Sequence, residues 1–369
     1  MNEKKALIAM SGGVDSSVAA YLVKDMGYSI TGCTMRLYEN DMIDTDLFST
    51  CCSAKDTGDA RAVCEKLGAE HYVFHYENEF TQEVIEPFAA CYENAVTPNP
   101  CIECNRRMKF AILMDRARSM GMDKPVTGHY ARIEYDENTG RYLLKKGMDL
   151  NKDQSYVLYM MDQKQLSQTL FPLGGYTKDE IRLIAQREGF VNAKKHDSQD
   201  ICFVPDGDHA AFLKRFRNRE TVEGDFRDAE GNVLGRHKGI EYYTIGQRRG
   251  LGIAWEHPLY VTRIDPEKNE VILGRNEDLF SRRLVAERIN LITADRIEDE
   301  LYVKARIRYH HKEQPAVVRQ TGDDRLEIIF DEPQRAITPG QAVVLYDGDV
   351  VVGGGTITST EKNEKIPSA

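Results

Sequence analysis

The opening of the chain constrains it most. An apolar run, Ala6-Leu7-Ile8-Ala9-Met10, leads directly into Ser11-Gly12-Gly13-Val14-Asp15-Ser16-Ser17. A short continuous apolar run predicts a parallel strand covered on both faces. The paired glycines predict a tight turn at its carboxyl end, and the residues that follow predict a helix over 18–26 that Gly27 ends. A strand, a glycine turn and a helix in this order put free helix N–H groups at the edge of a sheet, where a pyrophosphate group fits. Ser11, Ser16 and Ser17 add hydroxyl donors. The turn is neither a Walker loop, because the lysine of that motif is missing, nor a Rossmann fingerprint.

The same alternation continues. Strands are expected over 29–37, 71–75 and 125–128, and helices over 56–67, 80–94 and 105–120. This βαβα order predicts an α/β fold with a mostly parallel, doubly wound sheet and helices on both faces. Thr177 followed by Glu180 reads as a capping box for a helix over 177–188. Beyond about residue 220 the character changes to short runs of Val, Ile, Tyr and Thr between turn residues, at 241–245, 259–264, 270–273, 302–309, 326–330, 342–345 and 350–357. That pattern predicts small β-rich domains, including a C-terminal β-barrel. The expected division is 1–215, 216–278 and 279–369. A chain of 369 residues has room for two or three such cores.

No uncharged apolar run approaches the about 18 residues of a membrane span, and the N-terminal apolar run is too short for the core of an export signal. The expectation is a cytoplasmic protein with no membrane partner. In that compartment the eight cysteines are thiols, metal ligands or catalysts rather than structural disulfides. Cys33, Cys64 and Cys91 lie in apolar runs and read as core residues. Cys101 and Cys104 lie in Thr97-Pro98-Asn99-Pro100-Cys101-Ile102-Glu103-Cys104-Asn105-Arg106-Arg107, and Cys202 in Asp197-Ser198-Gln199-Asp200-Ile201-Cys202-Phe203. These settings are polar, charged and proline-rich. With a helix expected to begin near Asn105, Cys104 falls beside the positive end of its dipole and beside Arg106 and Arg107, which favours a thiolate.

The loop SGGVDSS resembles that of the N-type ATP pyrophosphatases, which split ATP between the α and β phosphates; their fold is adenine nucleotide alpha hydrolase-like. Taken with the cysteine segments, the chain resembles the bacterial tRNA-specific 2-thiouridylases over nearly its whole length. The likeness includes TGHYAR (127–132), NKDQSYVLY (151–159), DSQDICF (197–203), GQRRGLGI (246–253), RIRYHH (306–311) and FDEPQRAITPGQAVVLYDG (330–348). The resemblance implies ATP-dependent insertion of sulfur at C2 of uridine 34, the wobble base of tRNAs for Lys, Glu and Gln. It implies a catalytic domain at 1–215, a tRNA-contacting domain at 216–278 and a tRNA-binding barrel at 279–369. By motif, Ala9, Met10, Ser11, Gly12, Gly13, Val14, Asp15 and Ser16 would hold ATP with Mg2+, and Met35 and Gly128 would line the adenine-ribose site. Cys104 would be the nucleophile and Cys202 the persulfide carrier. Asn99, Pro100 and Cys101 would flank the target base. His129, Lys152, Asp153, Gln154, Arg308, Tyr309 and Gln341 would touch the anticodon stem-loop. A cysteine desulfurase or a sulfur-relay protein is the implied sulfur source.

Some members of that family have Asp where this chain has Cys101, so an acid/base role does not carry over. Cys101, Cys104 and Cys202 instead supply three thiolates, which suit a [4Fe–4S] cluster with one iron left open. This route stands beside the persulfide route at this point. A zinc site would need a fourth ligand that the sequence does not identify. Two other readings stand beside these: an amidotransferase-type synthetase that uses the same loop, and a non-enzymatic iron–sulfur or RNA-binding module in which the loop is only a turn. Cys51-Cys52-Ser53 is expected to form a loop near the site.

A net charge of −10 argues against a general nucleic-acid coat. Locally, however, residues 302–319 hold five Lys or Arg and one acidic residue, and Lys304, Arg306 and Arg308 alternate with apolar residues. On a strand this puts three cations on one face, suited to phosphate contacts. Lys194-Lys195 and Arg248-Arg249 are further candidates.

Overall fold

The computed structural model describes residues 3–38, 54–195 and 201–361. It divides into two compact units. The first takes in residues 1–85, 100–207 and 348–351, the second 86–99, 208–347 and 352–369.

The first unit is built on four parallel strands: β1 (Lys5–Ala9), β2 (Ser29–Arg36), β3 (Glu70–His75) and β4 (Lys124–Val126). Their spatial order is β3-β2-β1-β4, with β1 in the interior of the sheet. Burial explains the composition of β1, since Ala6, Leu7 and Ile8 are fully buried. Helix α1 (Val14–Asp25) follows β1 and α2 (Ala54–Lys66) precedes β3. Their apolar residues Val18, Ala19, Val23, Ala60 and Val63 join Ala6 and Ile8 in one core. The parallel α/β sheet expected from the sequence is present.

Gly32 shows how closely these layers pack. A Cβ added there would lie 2.3 Å from Cys64 Sγ on α2 and 3.3 Å from Met10 and His71 side-chain atoms. Cys33 and Cys64 are buried core residues, as expected. Burial, reinforced by the neighbouring Glu65 charge, pushes the Cys64 thiol up to about 11.

Three local differences have physical causes. The helix expected to start near Asn105 begins at Pro100: α-helix Pro100–Glu103 runs into a π-helical stretch, Cys104–Ile112, and then α-helix Leu113–Ser119. Proline suits a first helical turn, where its missing N–H has no partner to lose. The strand expected over 241–245 is instead a 3-10 turn, Ile240–Tyr242, which lets Ile240 and Tyr243 enter one small core. An antiparallel hairpin not anticipated from the sequence, β5 (Ala131–Asp136) and β6 (Arg141–Lys146), follows the parallel strands.

The second unit contains a four-stranded sheet and a closed barrel. The sheet pairs β7 (Gly224–Arg227), β8 (Val233–His237), β9 (Tyr260–Asp265) and β10 (Glu270–Gly274) in the order β8-β7-β10-β9, around Phe226, Val261 and Val271. The barrel comprises β11 (Phe280–Leu291), β12 (Leu301–Arg306), β13 (Gln314–Gly322), β14 (Arg325–Arg335), β15 (Ala342–Asp347) and β16 (Val350–Thr360). They run in the order β11-β14-β13-β12-β15-β16, and β11 pairs with β16 to close it. Closure removes exposed sheet edges. On β12, Val303 and Ala305 point into the barrel core while Tyr302 and Lys304 are exposed. Among the described residues no helix is long and apolar enough to cross a membrane.

Gly32→Ala is expected to lower stability by about 1–3 kcal/mol through overpacking. In thermal melts, Cys64→Ala in the same chain should recover most of the loss, because it removes the atom the new methyl strikes. Equal destabilisation with and without Cys64 would contradict the packing account.

Candidate nucleotide and thiol site

The turn after β1 is held from several sides. Met10 N donates to Cys33 O at 2.7 Å, and Thr34 Oγ1 donates to Met10 O at 2.8 Å. Gly12 has φ +73°, and a Cβ on it would lie 2.2 Å from Asp56 O, so no larger residue fits this backbone. Gly13 is extended and caps α1 without a side chain of its own. Ser16 and Ser17 hydroxyls instead donate back to Gly13 O, both at 3.0 Å, and Ser16 Oγ accepts from Ser11 N at 3.2 Å.

Residues far along the chain complete the turn. Asn192 Nδ2 donates to Gly12 O and to Ser17 Oγ, each at 2.9 Å. Lys195 Nζ donates to Gly12 O at 3.1 Å, pairs with Asp59 at 2.9 Å and also pairs with Asp56. Burial alone would lower the Lys195 pKa, but its contacts with Asp56 and Asp59 outweigh this and hold it above the ordinary lysine value. The carbonyls of Met10, Gly12 and Gly13 therefore all accept from protein donors. A turn whose carbonyls are turned into the protein is suited to offering N–H groups to an anion.

Asp15, in the first turn of α1, receives Lys178 Nζ at 2.8 Å on each carboxylate oxygen and the Tyr130 hydroxyl at 2.6 Å. Lys178 is buried, and the capping box of Thr177 and Glu180 sets the helix that carries it. Gly128 abuts the same turn: a Cβ there would lie 3.0 Å from Ser16 N. Met35 lies on β2 and packs in the small cluster around Leu7 and Cys33. Val14, Met10 and Ser16 are buried, whereas Ser11 is exposed.

The thiols lie in the same unit. Cys101 is exposed, and Cys104 and Cys202 are partly buried. Because the helix begins at Pro100, its first turn holds Cys101 and not Cys104. The positive end of the helix dipole therefore lies beside Cys101 and not Cys104. Arg107 faces Glu83 at 3.5 Å. Asn105, beside Cys104, is buried and donates from Nδ2 to Val157 O at 2.9 Å, which fixes that end of the π-helical stretch. The Cys202 segment is anchored by its neighbours: Tyr38 OH donates to Cys202 O at 3.3 Å, and the buried Phe203 packs edge-on to Phe80 with ring centroids 5.7 Å apart. Residues 197–200 and Cys51-Cys52-Ser53 lie outside the described residues.

Among the described residues, which include Cys101, Cys104 and Cys202, no three His, Cys, Asp or Glu side chains are grouped to hold a metal ion.

Several residues assigned to tRNA contact by motif make internal contacts. In the first unit His129 is buried, hydrogen-bonded to Thr127 at 2.7 Å and packed against the rings of Phe110 and Phe171. Burial, with Lys109 nearby, holds its pKa well below the usual histidine value. Asp153 is buried and accepts from Gly147 N and Ser155 N, both at 3.1 Å. Gln154 Oε1 accepts from Tyr130 N at 3.0 Å. Lys152 and Pro100 are partly buried and buried, respectively. In the second unit Gln341 Nε2 donates to Thr97 O at 2.9 Å and Pro98 O at 3.0 Å, which fixes the segment ending in the partly buried Asn99. Arg308 donates to Ile245 O at 3.3 Å and Ala336 O at 3.0 Å. Tyr309 stacks edge-on to His310.

The basic strand face also differs from expectation. β12 ends at Arg306, which pairs with Glu313 at 2.8 Å, and Arg308 is an internal clamp. Lys195, read from sequence as a candidate phosphate contact, is bound to Gly12 and two carboxylates. Sequence reasoning missed Asn192, Lys178 and Tyr130. The one signal available for Lys178 was the capping box immediately around it.

The fold and the site define a class: an α/β protein with a locked glycine turn at the tip of a parallel sheet, followed by small β domains. Residues 4–206 match the family model described as "tRNA methyl transferase HUP domain". Residues 210–275 match its "PRC-barrel domain", and residues 281–357 an "Aminomethyltransferase beta-barrel domain". The chain is 50% identical over 354 residues to the tRNA-specific 2-thiouridylase MnmA of Clostridioides difficile strain 630, covering 96% of this chain and 98% of that protein. It is 49% identical to tRNA-specific 2-thiouridylase MnmA 1 of Caldanaerobacter subterraneus subsp. tengcongensis (96% and 97% covered) and 48% identical to MnmA of Acetivibrio thermocellus (97% and 100% covered). This chain belongs to the tRNA-specific 2-thiouridylase family.

Thiol burial gives a direct expectation. On alkylation of the folded protein at neutral pH, followed by peptide mapping, Cys101 should label first among the described thiols, and Cys33 and Cys64 only after unfolding. Native-state labelling of Cys64 at the rate of Cys101 would contradict the packing of α2 on β2.

Proposed function

We propose that this chain is a tRNA sulfurtransferase that replaces the C2 oxygen of uridine 34 with sulfur at the expense of ATP. The observation that carries the reading is identity of about one half, over nearly the full length, to proteins named for tRNA 2-thiouridylation. The locked turn at the carboxyl edge of β1 supports it physically, because an ATP pyrophosphate group needs converging N–H donors. In this reading the loop from Ala9 to Ser16 holds ATP with Mg2+, with Met35 and Gly128 beside the adenosine. Residues 1–215 form the catalytic domain, and 216–278 and 279–369 bind tRNA.

The chemistry divides into two steps. The C2 carbonyl of uridine is a weak electrophile and its oxygen a poor leaving group. Attack of O2 on the α-phosphate of ATP forms an O–P bond, expels pyrophosphate and leaves O2 as adenylate. The terminal sulfur of a Cys202 persulfide then attacks C2, and AMP departs with the oxygen. The Cys104 thiolate attacks Cys202 Sγ and releases the thiolated base. Two thiolates are oxidised to a Cys104–Cys202 disulfide as the sulfane sulfur is reduced, and an external thiol reductant reopens the pair. If hydrosulfide is released before it attacks C2, the products and the electron count are the same. Because a stacked wobble base hides C2, the base must leave the anticodon stack. A cysteine desulfurase or a relay protein reloads Cys202.

The persulfide route needs only the Cys104 and Cys202 thiols, whereas an iron–sulfur route would need Cys101 as a third ligand. Asn192 and Lys195 are positioning residues in this account, setting the turn through Gly12 O.

In single-turnover assays with ATP, tRNA and a sulfur donor, Cys104→Ser and Cys202→Ser should reduce 2-thiouridine, read by nucleoside mass spectrometry, below detection. Cys101→Ala should leave turnover measurable, whereas a cluster ligand would be indispensable. Wild-type thiolation by Cys202→Ser would overturn the proposal.

A further inference from the structure

The second unit holds a surface that the sulfur chemistry does not use. Between the 3-10 turn Ile240–Tyr242 and β9 the chain runs through 243–259 without helix or strand. A connection this long within a compact domain is more often functional than incidental. It is also well anchored. Leu251 and Leu259 are buried in the core around Phe226. Gly246 N donates to Val261 O at 2.8 Å, and Val261 N donates to Gln247 O at 2.9 Å. Arg308 holds Ile245 O from the barrel side at 3.3 Å.

This loop surrounds an open cavity of about 640 Å³ whose lining includes Arg248, Trp255, Glu256 and His257. Trp255 is 51% exposed and is the only tryptophan of the chain. Arg248 and Arg249 are exposed, and neither makes an ion pair among the described residues. Elsewhere in this unit arginines are commonly paired, as Arg227 is with Glu270 and Arg306 with Glu313. Glu256 is the only carboxylate among the lining residues. An exposed indole lining the same cavity as Arg248, with Arg249 next to it in sequence, on a chain of net charge −10, is a local site for a polyanion that also presents flat aromatic faces.

We propose that this loop is a cradle for an unpaired stretch of the substrate tRNA, with Trp255 stacking on a base and Arg248 and Arg249 meeting the flanking phosphates. The proposal rests on the tRNA reading above and extends it to a contact that the target-base chemistry does not require. Charge selects RNA over a protein occupant. A stable protein interface would need about 800 Å² of complementary surface per partner, and the cradle offers one aromatic side chain between arginines and glycines.

The single tryptophan makes the site its own probe. The full-length protein is titrated with substrate tRNA while tryptophan emission is followed, excited where the 18 tyrosines contribute little, and total binding is measured in parallel by filter retention. The expected result is a saturable change in emission with the same midpoint as retention. Trp255→Ala should weaken tRNA binding roughly tenfold and Trp255→Phe much less, as stacking requires. Arg248→Ala with Arg249→Ala should reduce the slope of log affinity against log salt by about 1–2, whereas Trp255→Ala leaves that slope unchanged. Melting curves check that each variant is folded. Saturable retention with no change in emission, together with wild-type affinity in folded Trp255→Ala, overturns the cradle alone and returns this surface to a protein partner. Failure of the wild-type chain to retain tRNA at all overturns the cradle and the function reading together.

Discussion

The structure depends on the orientation of one backbone carbonyl, that of Gly12. It accepts from Asn192 at 2.9 Å and from Lys195 at 3.1 Å, residues from the far end of the first unit's chain. Asp56 and Asp59 fix the Lys195 ammonium, and Asp56 also closes over Gly12 so tightly that no Cβ fits. Thr34 takes up Met10 O, and Ser16 and Ser17 take up Gly13 O. With these carbonyls committed, the strand-to-helix turn is preorganised before any anion arrives, which reduces the cost of binding one.

The same lysine ties the turn to the sulfur chemistry proposed for this chain. Lys195 lies shortly before the segment that carries Cys202. That segment is held at its other end by Phe203 against Phe80 and by Tyr38 on the Cys202 carbonyl. Asn192 and Lys195 thus both tie the stretch preceding that segment to Gly12 O. Helix Pro100–Glu103 and the π-helical stretch after it carry the other thiols, secured by buried Asn105 on Val157 O.

The parallel sheet was legible in the sequence because its rule is local: a continuous apolar run, a glycine and an amphipathic helix. The same holds for the Thr177 capping box and the buried Cys33 and Cys64. The glycine turn was equally plain, since Ser-Gly-Gly-x-Asp-Ser-Ser at the end of a buried strand is a far more restrictive pattern than two glycines alone. Asn192, Lys178 and Tyr130 were not legible, because their partners in the turn lie more than a hundred residues away and nothing in the local pattern marks a lysine as buried. The helix starts at Pro100 and not near Asn105, because proline is at home in a first helical turn, which local pattern alone does not distinguish from a loop. On the barrel, period-two alternation correctly gave the inward Val303 and Ala305. It could not show that Glu313 would neutralise Arg306 or that Arg308 would turn inward to bind carbonyls. Motif residues such as Asp153 and Gln341 hold the backbone of segments where tRNA contact is proposed. A motif can thus mark a segment whose side chains act by shaping it.

The central claim is that ATP activates the C2 oxygen of uridine 34, so the most direct test follows that oxygen. Substrate tRNA carrying oxygen-18 at O2 of uridine 34 is thiolated with unlabelled ATP, and the small products are resolved by mass spectrometry. The account predicts one labelled oxygen in AMP for each 2-thiouridine formed, with unlabelled pyrophosphate. Label in water or in orthophosphate, with AMP unlabelled, would contradict it.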